Sequence, residues 1–232
     1  MLCMTDLSHE TLLRLHSELA AEYELAESSY QFGGKPFSFL HVRDSYALLD
    51  RISPEEFVKD EQMPYWAEIW PSASALSTFF MDEVALEGKH LLELGAGIGV
   101  VSIVAAWRGA QVVATDYSIE ALRFIRYNSL KNSVALTAER LDWRQVQRSD
   151  RFDYVVAADV LYERVNLLPV VLALDKLLKA DGVAFIADPR RRMAEQFVEL
   201  ATENGFVVTT HARRCQIGEA PVMVNIHQIS RL

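Results

Sequence analysis

The chain has 232 residues, of which 50% are hydrophobic and 24% charged, with a formal net charge of −9. This suits a single enzyme-sized globular domain with a sizeable core, and the acidity argues against non-specific nucleic-acid binding, which needs a basic surface. No apolar run reaches the roughly 18 residues of a membrane span, no secretory signal opens the chain, and two distant cysteines, Cys3 and Cys215, suit a reducing compartment, so a cytoplasmic protein is expected.

Leu12, Leu15 and Leu19 share a helical period, so the first ~30 residues read as a helix with Ser8 as its cap. Gln31 to Pro36, with Gly33 and Gly34, is a break, and Phe37 to Leu49 alternates weakly as a strand or hairpin. Ser53, Pro54 and Glu56 give a capping residue, a first-turn proline and a glutamate, which mark a short helix. Residues 1–62 are expected to form an N-terminal α/β extension, either a lid or a substrate-selecting face, on a main domain spanning 63–232.

From Trp66 onward strands and helices alternate. A helix over 72–85 precedes a strand at 90–94, and a helix at 99–108 leads to a strand at 111–115. Next come a helix at 118–131, strands at 135–141 and 152–158, a helix at 164–179, a strand at 183–187 and a helix at 191–204. Apolar runs at 206–210 and 222–229 are separated only by a loop with Gly218 and Pro221, so they are expected to pair as an antiparallel hairpin. The pattern predicts an α/β fold: a doubly wound, seven-stranded, mostly parallel sheet with a terminal antiparallel hairpin.

The first of these strands carries the chemistry. Leu91-Leu92-Glu93-Leu94 breaks into Gly95-Ala96-Gly97-Ile98-Gly99, and Val112-Val113-Ala114-Thr115 ends on Asp116. Glycines allow a sharp turn and close approach of a ligand to the backbone. A carboxylate at the tip of the next strand accepts hydrogen bonds from ribose hydroxyls. A dinucleotide site needs G-x-G-x-x-G; here the third glycine comes one residue early, and Glu93 would repel a pyrophosphate but attract a cationic ligand.

Ligands of open α/β sheets bind beyond the C-terminal strand ends. Asp142 and Trp143 come after the third strand, where the carboxylate would accept an adenine amine and the indole would wall the ring; the alternatives are a turn cap and core packing. Ala158 and Asp159 end the fourth strand, and Tyr162 comes three residues later, a pairing suited to an incoming amine. A helix cap is the alternative for Asp159. The six histidines are scattered without acidic partners at ligand spacing, so no metal site is expected.

E-x-G-x-G-x-G resembles the first motif of the seven-strand (class I) S-adenosylmethionine-dependent methyltransferases, which are Rossmann-like enzymes. Asp159-Val160-Leu161-Tyr162 resembles the D-x-x-Y of their lysine-methyltransferase-like branch. Trp70, in Trp70-Pro71-Ser72-Ala73, matches that branch's cofactor-contacting tryptophan, whereas Trp66 is expected to pack in the core. Leu141-Asp142-Trp143 matches its third-strand motif. The resemblance covers about residues 64 to 190 and implies an enzyme that binds S-adenosylmethionine through Trp70, Glu93, Gly95, Ala96, Gly97, Asp116, Asp142, Trp143 and Ala158. Asp159 and Tyr162 would position a lysine of a protein substrate. The chain departs from the pattern at Asp188-Pro189-Arg190-Arg191-Arg192, where bacterial relatives acting on an electron-transfer flavoprotein carry an Asp-Pro-Gly-Arg-like element. The three arginines would face an acidic partner or simply start a solvated helix.

A small-molecule amine methyltransferase, lidded by residues 1–62, is the main alternative. An NAD-dependent oxidoreductase is disfavoured by the glycine spacing, and a non-catalytic binding module by the intact cofactor edge. A nucleic-acid amine as acceptor is disfavoured because both prolines of the usual D/N/S-P-P-Y/F/W element are missing.

Overall fold

The computed structural model describes residues 4–51, 64–216 and 221–232. The expected helix at Ser53-Pro54-Glu55-Glu56, Cys3 and Gly218 lie outside the described residues.

The first helix, α1 (Met4–Ala20), ends well before residue 30, and Ser8 falls inside it rather than at its cap. The expected face is correct: Leu19 is buried, with Leu12 and Leu15 packed on the same cluster. After the helix the chain forms a hairpin of β1 (Leu25–Phe32) and β2 (Lys35–Val42), paired antiparallel from Leu25 opposite Val42 to Phe32 opposite Lys35. Gly33 and Gly34 have φ of +53° and +75°, the pair of positive angles that a two-residue hairpin of type I′ demands. A 3₁₀ turn at Tyr46–Arg51 takes the place of the expected end of the strand.

The remaining strands form one sheet. These are β3 (His90–Leu94), β4 (Gln111–Asp116), β5 (Thr137–Arg140), β6 (Phe152–Ala158), β7 (Leu178–Asp188), β8 (Phe206–Gln216) and β9 (Pro221–Arg231). Their order is β5-β4-β3-β6-β7-β9-β8, parallel except for β9, which runs antiparallel to both β7 and β8. The sheet and its terminal hairpin are as the sequence predicts. Among the described residues, five more helices, α2 (Pro71–Asp82), α3 (Val100–Trp107), α4 (Ile119–Lys131), α5 (Arg164–Leu177) and α6 (Met193–Glu203), cover it.

Central parallel strands are buried on both faces and so read as continuous apolar runs. In β3, Leu92 and Leu94 face a core shared with Leu167, Val171 and Phe197 of α5 and α6. Leu91 faces the other core, with Leu76, Phe80 and Val101 of α2 and α3. The boundary between α5 and β7 lies earlier than the sequence pattern suggests: the helix stops at Leu177 and Leu178 already pairs with Phe152. The register then shifts, so that Tyr154 pairs with Val183. A Cβ at Gly182 would lie 2.9 Å from the Phe152 carbonyl oxygen, so the irregularity needs a glycine there. Among the described residues no helix is long and apolar enough to cross a membrane.

A third core joins the hairpin to the sheet, with Phe32, Phe37, Phe39 and Leu40 against Ile98, Ile103, Val104 and Phe124. Asn128 of α4 and Asn132, one turn on at its C-cap, complete it. Asn128 Oδ1 accepts from Leu40 N at 2.8 Å, and its Nδ2 donates to the carbonyls of Leu40 and Ile98 at 3.0 Å. Asn132 accepts from Ser38 N at 3.0 Å and donates to Ser38 O at 2.8 Å. The two amides thus act as a short strand along the second edge of β2.

Asn128→Ala leaves three buried backbone groups without a partner, each worth roughly 1–3 kcal/mol. The expected loss of unfolding free energy in urea is at least about 3 kcal/mol; a loss below about 1 kcal/mol would mean that the amide does not hold the hairpin.

Candidate active site

The chain passes from β3 outward through β4 to β5 and then returns to the other side of β3 at β6. Strand order therefore reverses between β3 and β6, the place where open α/β sheets bind ligands. Each strand hands its last hydrogen bond to the residue beyond it. Ala96 N donates to Thr115 O at 2.9 Å, Leu141 N to Asp116 O at 3.0 Å, and Asp159 N to Ala187 O at 2.9 Å. The segments after β3, β5 and β6 are thereby fixed at the mouth of the sheet.

Gly95, Gly97 and Gly99 have φ of +64°, +55° and +93°. At the first two, side chains are excluded by contact as well as by conformation. A Cβ at Gly95 would lie 2.9 Å from Trp143 Cζ3, and one at Gly97 3.1 Å from the Trp66 carbonyl oxygen. Asp116 spans this turn: its Oδ2 accepts from Gly97 N at 2.8 Å and its Oδ1 from Ser118 N at 2.9 Å. Gly99 caps α3 without a side chain, and Glu93 of β3 supplies the missing acceptor. Its Oε2 takes Ser102 N at 2.8 Å and also the Ser102 hydroxyl.

Burial pushes the Glu93 carboxyl up to about 8, against the opposing bonds from Ser102. Burial likewise pushes Asp116 up to about 6, although backbone N–H donors at Ser118 and Gly97 counteract it. Tyr162 is raised well above the usual phenol range, chiefly by burial and then by Glu163, so it remains a neutral phenol. At Asp142 burial acts upward but the Arg144 bonds prevail, and its carboxyl lies below the usual range.

A cavity of about 270 Å³ opens here, lined by all eleven residues singled out from the sequence: Trp70, Glu93, Gly95, Ala96, Gly97, Asp116, Asp142, Trp143, Ala158, Asp159 and Tyr162. They divide into two groups. The glycine turn, Glu93, Asp116, Asp142 and Trp143 lie around β3, β4 and the segment after β5. Asp159 and Tyr162 come after β6, and Tyr162 meets Trp70 through Tyr65, whose ring lies 4.9 Å from Tyr162 and 5.9 Å from Trp70. The Trp70 indole N–H donates to Tyr65 O at 2.9 Å.

Asp142 caps the short 3₁₀ turn Trp143–Gln145 and grips the Arg144 guanidinium with both oxygens, at 2.9 to 3.1 Å. Asp159 is no helix cap, because Glu163 fills that position for α5. It has φ of +60° and is 6% exposed. Trp66 is partly buried against the hairpin core, 5.5 Å from Phe124, and also lines the cavity.

Three further lining residues have partners that the sequence does not reveal. Asn166 accepts from the Trp143 indole at 3.5 Å and donates to Glu163 at 2.8 Å. Tyr65 carries the aromatic cluster. Arg191, read as part of a surface run, bonds Asp159 Oδ1 through Nη2 at 2.9 Å and Nε at 3.3 Å. Asp188, wholly buried, accepts from Arg191 N at 2.6 Å, and burial, opposed by that bond and reinforced by the nearby Asp159, raises its carboxyl to about 6. Six carboxylates (Glu68, Glu93, Asp116, Asp142, Asp159, Glu163) and two arginines (Arg144, Arg191) line the cavity. No group of metal-ligating side chains is present among the described residues.

A family model described as lysine methyltransferase matches residues 57–204. The chain belongs to the lysine methyltransferase family. Among its relatives, the mouse protein-lysine methyltransferase METTL21E is 33% identical over 155 residues, covering 59% of this chain and 63% of the mouse protein. The rat electron transfer flavoprotein beta subunit lysine methyltransferase is 33% identical over 135 residues, 55% of this chain and 51% of that one. The match thus spans less than two thirds of the length of either relative. Among solved structures, the T. thermophilus 16S rRNA methyltransferase RsmC, in complex with AdoMet and guanosine, superposes with a TM-score of 0.61 at 16% identity, over 90% of this chain and 51% of that chain. A TehB-like SAM-dependent methyltransferase from Corynebacterium glutamicum gives 0.56 at 18% identity, over 81% and 98%. At these identities the structural likeness speaks for the fold, which this family member shares with both.

Glu93 generates a prediction about stability. Its folded pKa of about 8 lies above the ordinary 4.5. The native state therefore holds a proton that the unfolded chain has released, and this contribution is lost as pH rises through the folded value. Glu93→Gln keeps an oxygen for Ser102 N but cannot ionise. Thermal unfolding measured from pH 5 to pH 8 should fall less steeply for Glu93→Gln than for the unaltered protein; parallel curves would show that Glu93 is ionised throughout.

Proposed function

We propose that this protein is an S-adenosylmethionine-dependent N-methyltransferase that acts on a lysine side chain of a protein, in a cytoplasmic setting. The reading rests above all on one juxtaposition: the glycine turn and Asp116 open into the same acidic cavity as Asp159 and Tyr162. Two positive charges enter such a site, the sulfonium of the cofactor and the ammonium in which the acceptor arrives before losing its proton, and an excess of carboxylates suits both. Membership of the lysine methyltransferase family supports the acceptor class, as do the activities for which METTL21E and METTL21A are named.

The residues fit the cofactor. At Gly95 and Gly97 a Cβ would collide with Trp143 and the Trp66 carbonyl, so only glycine lets the turn keep its shape, and Gly95, Ala96 and Gly97 line the cavity that the cofactor would enter. Asp116, whose two oxygens accept from backbone N–H groups that include Gly97 and Ser118, would offer its remaining lone-pair capacity to a ribose hydroxyl. Trp143 and Asp142 would hold the adenine, Glu93 fixes the start of α3, and Trp70 and Ala158 would complete the wall against the cofactor. When bound, S-adenosylmethionine supplies a methyl group activated on a sulfonium.

The acceptor half works by placement. A lysine has an ordinary pKa of ~10.4 and arrives protonated. A carboxylate beside it favours the charged form, so Asp159 binds and aims the amine rather than taking its proton, which leaves to water. Tyr162, held neutral, offers its hydroxyl and ring edge as a second guide. Catalysis then comes mostly from alignment in a site that excludes water.

Residues 63–232 would carry this activity and residues 1–62 would serve as an extension that supports it. A protein acceptor is favoured over a small amine because, among the described residues, none of 4–51 lines the cavity, so the closed lid that a small-molecule pocket needs has no support there.

Calorimetric titration should give micromolar binding of S-adenosylhomocysteine and none of NAD; NAD binding alone would reverse the cofactor assignment. Asp116→Ala should weaken S-adenosylhomocysteine by at least tenfold, and in the unaltered protein affinity should fall below about pH 6, where Asp116 takes up its proton. Asp159→Ala should abolish methylation of lysate proteins from labelled cofactor while S-adenosylhomocysteine affinity stays within a few-fold. A large affinity loss in that variant would move Asp159 to the cofactor half.

A further inference from the structure

Arg191 has an unusual setting for a residue in a surface run. Its guanidinium spans the Asp159 carboxylate, at 2.9 Å, and the face of the Trp70 ring, 5.9 Å from the centroid. A carboxylate and an aromatic face are the two surfaces that best hold an organic cation. The second carboxylate, Asp188, anchors the Arg191 backbone and stands 3.9 Å from its Nε. Neither acid is fully served. Asp159 Oδ2 and Asp188 Oδ2 are buried without a hydrogen-bond donor, in side chains that are 3% and 0% exposed. Two buried acids thus share one arginine, and an oxygen on each remains short of a proton donor.

The arginine itself is far less buried, with 32% of its side chain exposed. It stands just before α6, next to Arg190, whose φ is +63°, and Arg192, which caps the helix. Its guanidinium can swing to solvent without disturbing the core. The two acids cannot follow, and removing the cation beside a buried carboxylate is strongly unfavourable. The guanidinium leaves readily only when another cation replaces it.

We infer that Arg191 occupies the acceptor seat of the free protein, and that Asp159, Asp188 and Trp70 form a cation-exchange site in which a substrate lysine ammonium displaces the Arg191 guanidinium. The inference rests on the acceptor reading above and adds a specificity-determining residue to it. Uncharged molecules of the same size are rejected on entry because they cannot compensate the two acids. The same exchange keeps Asp159 covered until a protein presents a lysine at the mouth. Arg191 is therefore a competitor for the seat, whose removal should improve acceptor binding.

The test needs no knowledge of the acceptor protein. The probe is n-butylammonium chloride, the lysine side chain without its backbone, titrated into the full chain with S-adenosylhomocysteine present. Sodium chloride at equal ionic strength and n-butanol serve as controls, and affinity is read from calorimetry and from the shift in thermal midpoint. Arg191→Ala should bind butylammonium at least tenfold more tightly than the unaltered protein, and adding Asp159→Asn should remove the gain. Methylguanidinium should compete with butylammonium in Arg191→Ala and restore its thermal midpoint, while Arg192→Ala, which removes the same charge next door, should behave as the unaltered protein. Should Arg191→Ala fold poorly, Arg191→Gln, which retains length and a donor, carries the same expectation. Equal butylammonium affinity with and without Arg191, or a gain that survives Asp159→Asn, overturns the exchange. An unaltered protein that binds no S-adenosylhomocysteine overturns the methyltransferase reading and the exchange with it, whereas intact S-adenosylhomocysteine binding with equal butylammonium affinities overturns the exchange alone.

Discussion

The bond from Gly97 N to the Asp116 carboxylate is the constraint on which the rest of the site depends. It ties the turn after β3 to the tip of β4, and so fixes a backbone that has left the ladder at three positive φ angles. Without it the turn would expose an unpaired N–H and lose the reason for its shape. The same carboxylate takes Ser118 N, the residue that caps α4 through Ala121 N. One side chain thus sets the exit from β3, the end of β4 and the start of α4. The cost is a buried carboxylate with a raised pKa, and such perturbed groups tend to mark functional positions.

Charge explains the rest of the cavity. Its acids are compensated unequally. Glu93 is neutralised by burial and spent on α3, Asp142 is held by Arg144, and Asp159 has one oxygen on Arg191 and the other on nothing. The gradient runs from satisfied acids on the β4 and β5 side toward unsatisfied ones beyond β6. A cation entering the cavity gains most at the β6 end, where Tyr65, Trp70 and Tyr162 also offer aromatic surface. Geometry and electrostatics therefore mark the same end of the cavity as the one most receptive to positive charge, independently of any motif.

How much of this can be read from the sequence depends on how local each signal is. The alternation of apolar runs with helical periods fixes strand ends to within a few residues, and residues just past strand ends must face the mouth; this is why Asp116, Asp142 and Asp159 are legible. Glycine spacing is legible because the backbone angles leave no alternative. β1 is not, since Glu27, Ser28 and Ser29 dilute its alternation, although Gly33-Gly34 between two such runs is a recognised hairpin signal. The role of Asp142 is obscured by a partner only two residues away, and that of Arg191 by one 32 residues away in sequence. Long-range pairing of this kind has no local signature. Asn128 and Asn132 fall between these cases: two amides one turn apart on an otherwise buried helical face hint at a backbone partner, but nothing in the chain says which.

Those asparagines bear on how the N-terminal segment influences the site. The hairpin does not reach the cavity, yet Asn128 bonds Ile98 O, inside the glycine turn, with the same amide nitrogen that bonds Leu40 O. On the other side, the Ser45 hydroxyl donates to Glu68, which lines the cavity just before Trp70 in the chain. The N-terminal segment therefore touches both halves of the site at one remove, through α4 and through the segment that carries Tyr65 and Trp70. A displacement of β2 would be felt first as a change in the glycine turn, because the Asn128 amide cannot keep both carbonyls if they separate. In this arrangement the described part of the N-terminal segment shapes the cavity from behind, while Tyr65, Glu163 and Arg191 line its β6 end.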